Sequence, residues 1–253
     1  MGPDTAAPRI RLHDVSVRRG GSLAVRGVSL ELTAGVVVVA GPNGSGKSTL
    51  LRAIATLLPC AGGTIEVMGS DVATRHGRAQ ARRNLGFLPQ EPAFLGQFLV
   101  SEALEYAAWL HGVARSGRKE SVRQALEELD LLDVAGTRLS DLSGGVRQRA
   151  YIGQILTHRP PVLLLDEPTV GVDAEHRVEL RRLVARLATD RLVVLSTHLT
   201  EDIEFLAHEV VVLGRGEVVF RGPPTALAEL GRQTHTPDER PVERALRQLG
   251  FPR

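Results

Sequence analysis

The chain opens on short runs that alternate apolar and polar positions, and its period then changes twice. Residues 8–34 alternate with the two-residue period of half-buried strands, and TIEVMG at 64–69 continues the pattern, which predicts an antiparallel edge sheet. Val36, Val37, Val38 and Val39 break the alternation. Four consecutive β-branched residues suit a strand buried on both faces. Leu50, Leu51, Ala53, Ile54 and Leu57 recur at helical spacing, so residues 35–60 read as a core strand, a loop and a helix. From about 91 to 158 the patterns are mostly helical, SVRQALEELDLL at 121–132 among them, with no strong strand. Buried-strand patterns return near 162–166, 192–196 and 209–213, and VVVLGRGEVVFRG closes as a hairpin turning at Gly214-Arg215-Gly216. The pattern defines an α/β fold: a mostly parallel core sheet, an N-terminal antiparallel β subdomain and an inserted helical subdomain. The expected limits are one unit over 1–230, with its core at about 1–90 and 159–230 and its helical subdomain at about 91–158. A polar tail follows at 231–253, with a short helix at PVERALRQL. No internal repeat is present, so one such unit is expected per chain.

Composition changes this picture little. A chain of 253 residues, 43% of them hydrophobic, suits one large globular unit or a core with a subdomain. The net charge of +2 leaves no strong electrostatic footprint for nucleic acid, and no nucleic-acid partner is expected. A single cysteine, Cys60, excludes an internal disulfide and fits a reducing compartment. The start, MGPDTAAP, is polar and proline-bearing, with no signal-peptide pattern. FLGQFLVSEALEYAAWLHGV at 94–113 is the nearest thing to a membrane span. Glu102 and Glu105 interrupt it, and Ala103, Ala107 and Leu110 recur at helical spacing, so an amphipathic helix is expected. RHGRAQARR at 75–83 could attract anionic headgroups or form a solvated face, and the solvated face is the reading adopted. The eight histidines show no metal-ligand spacing, and no zinc site is expected.

Two glycine-rich strings carry the chemistry. GPNGSGKS, from Gly41 to Ser48, fits G-x-x-x-x-G-K-[ST] and lies between the valine strand and the apolar helix, the setting a phosphate loop needs. Gly41, Pro42, Asn43, Gly44, Ser45 and Gly46 allow the backbone to turn tightly and aim N–H groups at phosphate oxygens, and the following helix, from Lys47, Ser48 and Thr49 onward, adds its positive end. Lys47 would reach the β- and γ-phosphates and Ser48 would hold Mg²⁺. Of 31 basic residues only Lys47 and Lys119 are lysine, and a compact ammonium suits this loop better than a guanidinium. VLLLDEP at 162–168 places Asp166 and Glu167 at the end of a buried strand, where open parallel sheets handle ligands. Asp166 is placed to hold Mg²⁺, and Glu167 to orient and polarise an attacking water. The core is thus expected to be a phosphate-loop NTPase. The second string, LSGG at 142–145, reads as a helix start: Ser143 as the N-cap, Gly144 and Gly145 admitting a phosphate, and residues 146–157 as the helix.

These strings, in order, resemble an ATP-binding-cassette (ABC) ATPase over about residues 8–250: GPNGSGKST, LPQ with Gln90, LSGGVRQR at 142–149, VLLLDEP, VGVD with Asp173, and STH with His198. LSGG separates that family from other phosphate-loop ATPases. The resemblance implies that Ser143, Gly144 and Gly145 face the phosphate loop of a second ATPase subunit, like or unlike, with ATP buried between the two. It implies that His198 contacts the γ-phosphate and holds Glu167 and water in line. Gln90 would sense the metal or water and begin a segment that touches a partner, and Asp173 would line the dimer seam. The partner implied is a separate transmembrane permease, with this chain at the cytoplasmic face of the membrane. Phe94, Leu95, Phe98 and Leu99 would anchor a permease helix, or in part fill the subdomain's own core. Export is favoured over import by GFLPQ and by the stretch from STHLTEDIEF onward, and Val146 after LSGG, where many members have glutamine, fits export-type members. A soluble ATPase serving a cytoplasmic assembly is the alternative. Many members stack an aromatic residue on adenine. The matching position here is Arg19, or Arg18, whose guanidinium can stack on a base or simply be solvated. Replacing Arg19 by Ala is expected to reduce discrimination of ATP over GTP severalfold in competition binding; unchanged discrimination would relegate it to the surface.

Overall fold

The computed structural model describes residues 9–33, 35–93, 95–233 and 239–251. Strands and helices are numbered separately in chain order. β1 (Ile10–Arg19) and β2 (Ser22–Leu32) form an antiparallel hairpin, and β4 (Gly62–Val67) pairs with the other edge of β1, with the two-residue β5 (Ser70–Asp71) outermost. Leu12 and Val15 both face inward although three residues apart. A register shift between them, with Asp14 at φ 50°, returns the apolar face to the core after one extra residue. β1 and β2 lie within the predicted stretch 8–34, whereas β4 begins and ends two residues before the predicted 64–69.

The second sheet has six strands in the order β10, β9, β3, β8, β7, β6. β3 (Val36–Ala40), β6 (Leu85–Leu88), β7 (Val162–Asp166), β8 (Leu192–Thr197) and β9 (Glu209–Gly214) run parallel, and β10 (Glu217–Gly222) closes the edge antiparallel. β6 was not foreseen, because four residues directly after a basic helix carry no pattern of their own. Its pairing with β7 defines it. That helix, α2 (Arg75–Asn84), begins on a Thr74 hydroxyl that accepts the Gly77 N–H; Arg75, Arg82 and Arg83 on it are exposed. The hairpin turn places Arg215 and Gly216 at φ 50° and 88°, the two positive values that a two-residue turn between twisted strands demands.

α1 (Lys47–Ile54) packs between the two sheets, while α3 (Val100–Leu110), α4 (Arg115–Glu128) and α5 (Gly144–Leu156) pack with α6 (Ala174–Leu187) on the other face of the core. The helix expected over 94–113 is shorter: it starts at Val100, where Glu102 accepts the Leu99 N–H at 2.9 Å. The one expected over 121–132 starts six residues earlier, at Arg115, and stops at Glu128, two residues before Asp130 takes a left-handed φ of 55°. α7 (Thr200–Leu206), α8 (Pro224–Arg232) and α9 (Pro241–Gln248) complete the chain. The tail was expected to be polar. Its helix α9 nonetheless buries Val242, Ala245 and Leu246 in the core, with Arg244 and Arg247 half-buried and Gln248 exposed. β3 is shared between both apolar cores: Val36, Val38 and Ala40 enter one, Val37 and Val39 the other.

His111, which caps α3, and His158, just past α5, stack with ring centroids 3.9 Å apart and planes 15° apart, and His158 Nε2 lies 3.0 Å from the Leu85 carbonyl of β6. Burial, then the neighbouring His111, pushes the pKa of His158 down to about 4 from 6.5. The unfolded chain therefore takes up this proton first as pH falls, and stability is lost from about pH 6.5 down through about 4. Between pH 7 and 4.5 the loss from this residue is expected to be about 2 kcal/mol. Urea unfolding at the two pH values checks it, and a His158→Gln variant should show a smaller difference.

Candidate nucleotide-binding site

Parallel strands deliver their C-terminal ends to one edge of a sheet, and here four of them do so. β3 ends at Ala40 before the glycine loop, β6 at Leu88 two residues before Gln90, β7 at Asp166 and β8 at Thr197 before His198. A cleft of about 400 Å³ opens there, lined by Arg19, Asn43, Gly44, Ser45, Gly46, Lys47, Ser48, Thr49, Gln90 and Glu167, with Ser22 and Ala24 from β2. Arg18 is not part of it, since its guanidinium donates to the Gly21 carbonyl at 3.0 Å.

The loop's shape has a steric cause. Gly46 sits at φ 105°, and a Cβ there would collide with the Ala24 carbonyl oxygen of β2. The β subdomain therefore presses directly on the turn that starts α1. Lys47 is 4% exposed; its Nζ donates to the carbonyls of Gly41 at 2.7 Å and Pro42 at 3.3 Å and lies 3.6 Å from Glu167 Oε1. Burial depresses its pKa, and the carboxylates of Glu167 and Asp166 only partly offset that. A buried ammonium with weak compensation favours an incoming anion.

Asp166 and Glu167 divide their contacts. Asp166 is fully buried; its Oδ1 accepts from Ser48 Oγ at 2.9 Å and from Ser196 Oγ at 2.6 Å. Its Oδ2 is buried with no hydrogen-bond partner among the described residues. An orphaned carboxylate oxygen on a group that already holds the Ser48 hydroxyl is a hard-oxygen donor set, which fits Mg²⁺. Among the described residues no cluster of three His, Cys, Asp or Glu could hold an ion by itself. Mg²⁺ tolerates such sparse protein ligation, because it keeps waters and phosphate oxygens. Glu167 takes a left-handed φ of 52°, an unfavourable conformation for a side chain of this size, and Ser196 holds it there: the Glu167 N–H donates to both the hydroxyl (2.9 Å) and the carbonyl (3.1 Å) of Ser196. The carboxylate then points among three groups. Oε1 faces Lys47, while Oε2 lies 3.3 Å from His198 Nδ1 and accepts from Gln90 Nε2 at 3.4 Å. Ser196 carries no role in the sequence reading. Its only signal was its place in the STH string.

Of the expected site residues, Gly41, Pro42, Asp166 and His198 adjoin the cleft through their contacts with Lys47, Ser48 and Glu167 without lining it, whereas Ser143, Gly144, Gly145 and Asp173 stand elsewhere. Ser143 caps α5, its hydroxyl accepting the Val146 N–H at 3.4 Å, and Ser143 and Gly144 are exposed. Gly145 is buried, and a Cβ there would overlap the ring of His176. Asp173 caps α6 by accepting the His176 N–H at 3.1 Å, and its carboxylate also holds the His176 ring at 2.7 Å. His176 therefore ties the tip of α5 to the tip of α6, a link that no sequence pattern announced.

A parallel sheet with a lysine-bearing glycine loop and adjoining Asp-Glu carboxylates defines a phosphate-loop nucleotide-binding protein. The family profile described as "ABC transporter" matches residues 25–170. The chain is 35% identical over 214 residues to the ABC transporter ATP-binding protein YxlF of Bacillus subtilis, covering 84% of this chain and 69% of that one. It is 31% identical over 228 residues to the linearmycin resistance ATP-binding protein LnrL of Bacillus subtilis, covering 89% and 73%. Among solved structures, cbiO1 from Clostridium perfringens, part of the ABC transporter complex cbiONQ, has the same fold: TM-score 0.78, 21% identity, 90% of this chain and 96% of that one. The chain belongs to the ABC transporter family, as one of its ATPase chains. Among the described residues no helix is long and apolar enough to cross a membrane.

Lys47→Ala is expected to weaken ATP binding about 10- to 100-fold, the loss of a charge-assisted hydrogen bond of about 1.5–3 kcal/mol. Equilibrium titration with a fluorescent ATP analogue checks it; unchanged affinity would place the triphosphate elsewhere.

Proposed function

We propose that two such ATPase subunits, of like or unlike chains, clamp ATP between them and that this chain powers a membrane transporter, in the export direction. The observation that carries the reading is the division of the site. The cradle, the carboxylates, Gln90 and His198 converge at one sheet edge, while the α5 tip (Ser143, Gly144, Gly145) and Asp173 present themselves outside that cleft. A glycine-bearing helix tip attracts phosphate, and these exposed tips are free to complete the cleft of a second molecule.

Within the composite site Arg19 stacks on the base, and the loop from Gly41 to Thr49 cradles the phosphates. Lys47 neutralises charge on the β- and γ-phosphates. Mg²⁺ would be held by Ser48, Asp166 and Gln90 and would neutralise developing phosphate charge. Glu167 orients the attacking water and takes up its proton. His198, already against Glu167 Oε2, keeps that carboxylate in line and meets the γ-phosphate. Hydrolysis leaves two products with no covalent link between the subunits, so the pair opens and the motion passes to the membrane partner.

The partner surface lies on the helical side. Phe94 lies outside the described residues; Leu95 packs against the core, and Phe98 is 37% exposed. Around Phe98, an apolar face of Tyr106, Trp109 and Leu110 on α3 stays exposed, as does Leu57 beyond α1. Between Leu57 and Leu110 lies a hollow of about 280 Å³ floored by Leu85 and Phe87. Such a face suits a short apolar helix from a separate permease, with this chain on the cytoplasmic side of the membrane. The direction of transport rests on the GFLPQ and STHLTEDIEF stretches and on likeness to a resistance protein.

Glu167→Gln is expected to abolish turnover and trap an ATP-bound dimer on size exclusion; a monomer at saturating ATP counts against the shared site. Ser143→Arg should block hydrolysis while leaving nucleotide binding by the monomer nearly intact. Co-purification from native cells should bring down a polytopic membrane protein, and recovery of a soluble assembly instead would overturn the transporter reading.

A further inference from the structure

Asp202 is wholly buried and stands three residues into the short helix α7, away from the cleft. Its carboxylate is the meeting point of three elements. Oδ2 accepts from Thr169 Oγ1 at 2.6 Å and from Thr197 Oγ1 at 2.8 Å, and Oδ1 accepts from Arg181 Nε of α6 at 2.7 Å. Thr169 lies two residues past Glu167, and Thr197 immediately precedes His198. The Thr197 hydroxyl also accepts the Leu199 N–H at 3.0 Å, so it closes a turn with His198 at its apex. One buried carboxylate thereby pins both flanks of the Glu167–His198 contact. Ser196 fixes only the backbone N–H of Glu167, which occupies a left-handed conformation, and the His198 side chain is 38% exposed. A fully buried, charge-assisted hub of short bonds is rigid, because any opening leaves a charge or a hydroxyl without a partner.

We propose that Asp202 is a positioning residue for ATP hydrolysis, which holds the loop after Glu167 and the turn around His198 at a fixed separation through the hydroxyls of Thr169 and Thr197. This rests on Glu167 and His198 being the acting pair. The hub does not touch the phosphate loop, so it sets the rate of the chemical step and not the affinity for nucleotide.

Asp202→Asn is a poor test, because it strands the buried Arg181 guanidinium. Thr197→Val and Thr169→Val keep the ion pair and the side-chain volume while removing one hydroxyl each. In steady-state assays on the full chain, each valine variant is expected to lower kcat about tenfold or more with KM for ATP little changed, and Thr197→Ser and Thr169→Ser to restore most of the rate. A kcat close to the wild type in both valine variants overturns the proposal. So does a fall in kcat that serine fails to restore, or one matched by a rise in KM, since either marks general loosening. If a valine variant does not fold, the serine and alanine variants at that position decide in the same assay. Glu167→Gln is measured alongside. Turnover that survives it removes the acting pair itself, whereas turnover lost there but kept in both valine variants removes only the role of Asp202.

Discussion

The site is organised around an ammonium that water scarcely reaches. Lys47 is held by two backbone carbonyls and faces one carboxylate, and burial still drives its pKa down. An isolated buried charge is among the most costly features a fold can carry, so everything around it is arranged to tolerate the charge until an anion arrives. The glycine loop brings carbonyls inward, β7 places Glu167 opposite, and Ser196 fixes the backbone that carries Glu167. The same carboxylate is engaged by Gln90 and His198.

Much of this was legible in the chain itself, for physical reasons. Four consecutive valines can only be a strand buried on both sides, and a G-x-x-x-x-G-K-S string following it has one economical conformation. The strands at 162–166 and 192–196 announce themselves because parallel strands covered on both faces are apolar without interruption. The helix at LSGG was legible because a serine before glycines is a strong cap, although it begins at Gly144 instead of 146. What escaped is whatever depends on long-range pairing. β6 is a strand only because β7 lies beside it. The roles of Ser196, Thr197, Thr169 and Asp202 come from hydrogen bonds spanning up to 33 residues, and nothing in a local pattern ranks one buried hydroxyl above another.

The tail shows the same limit from another side. Charge made residues beyond 231 look detached, yet α9 packs against α8 and donates from Arg240 to Glu204 of α7 at 3.0 Å. Thr200, at the start of α7, also reaches Glu243 of α9 at 3.3 Å. The helix that follows His198 is thus bounded by the core on one side and by the tail on the other.

β3 lends each of its faces to a different core, so neither can repack without disturbing the other. The glycine loop is rooted in that strand, whereas Ser143 and Asp173 sit on exposed helix caps. In the two-subunit arrangement proposed above, stiffness and compliance would fall to opposite jaws of one vice: the jaw that would grip the triphosphate is clamped from above and below, and the jaw that would close and reopen is carried at the ends of levers.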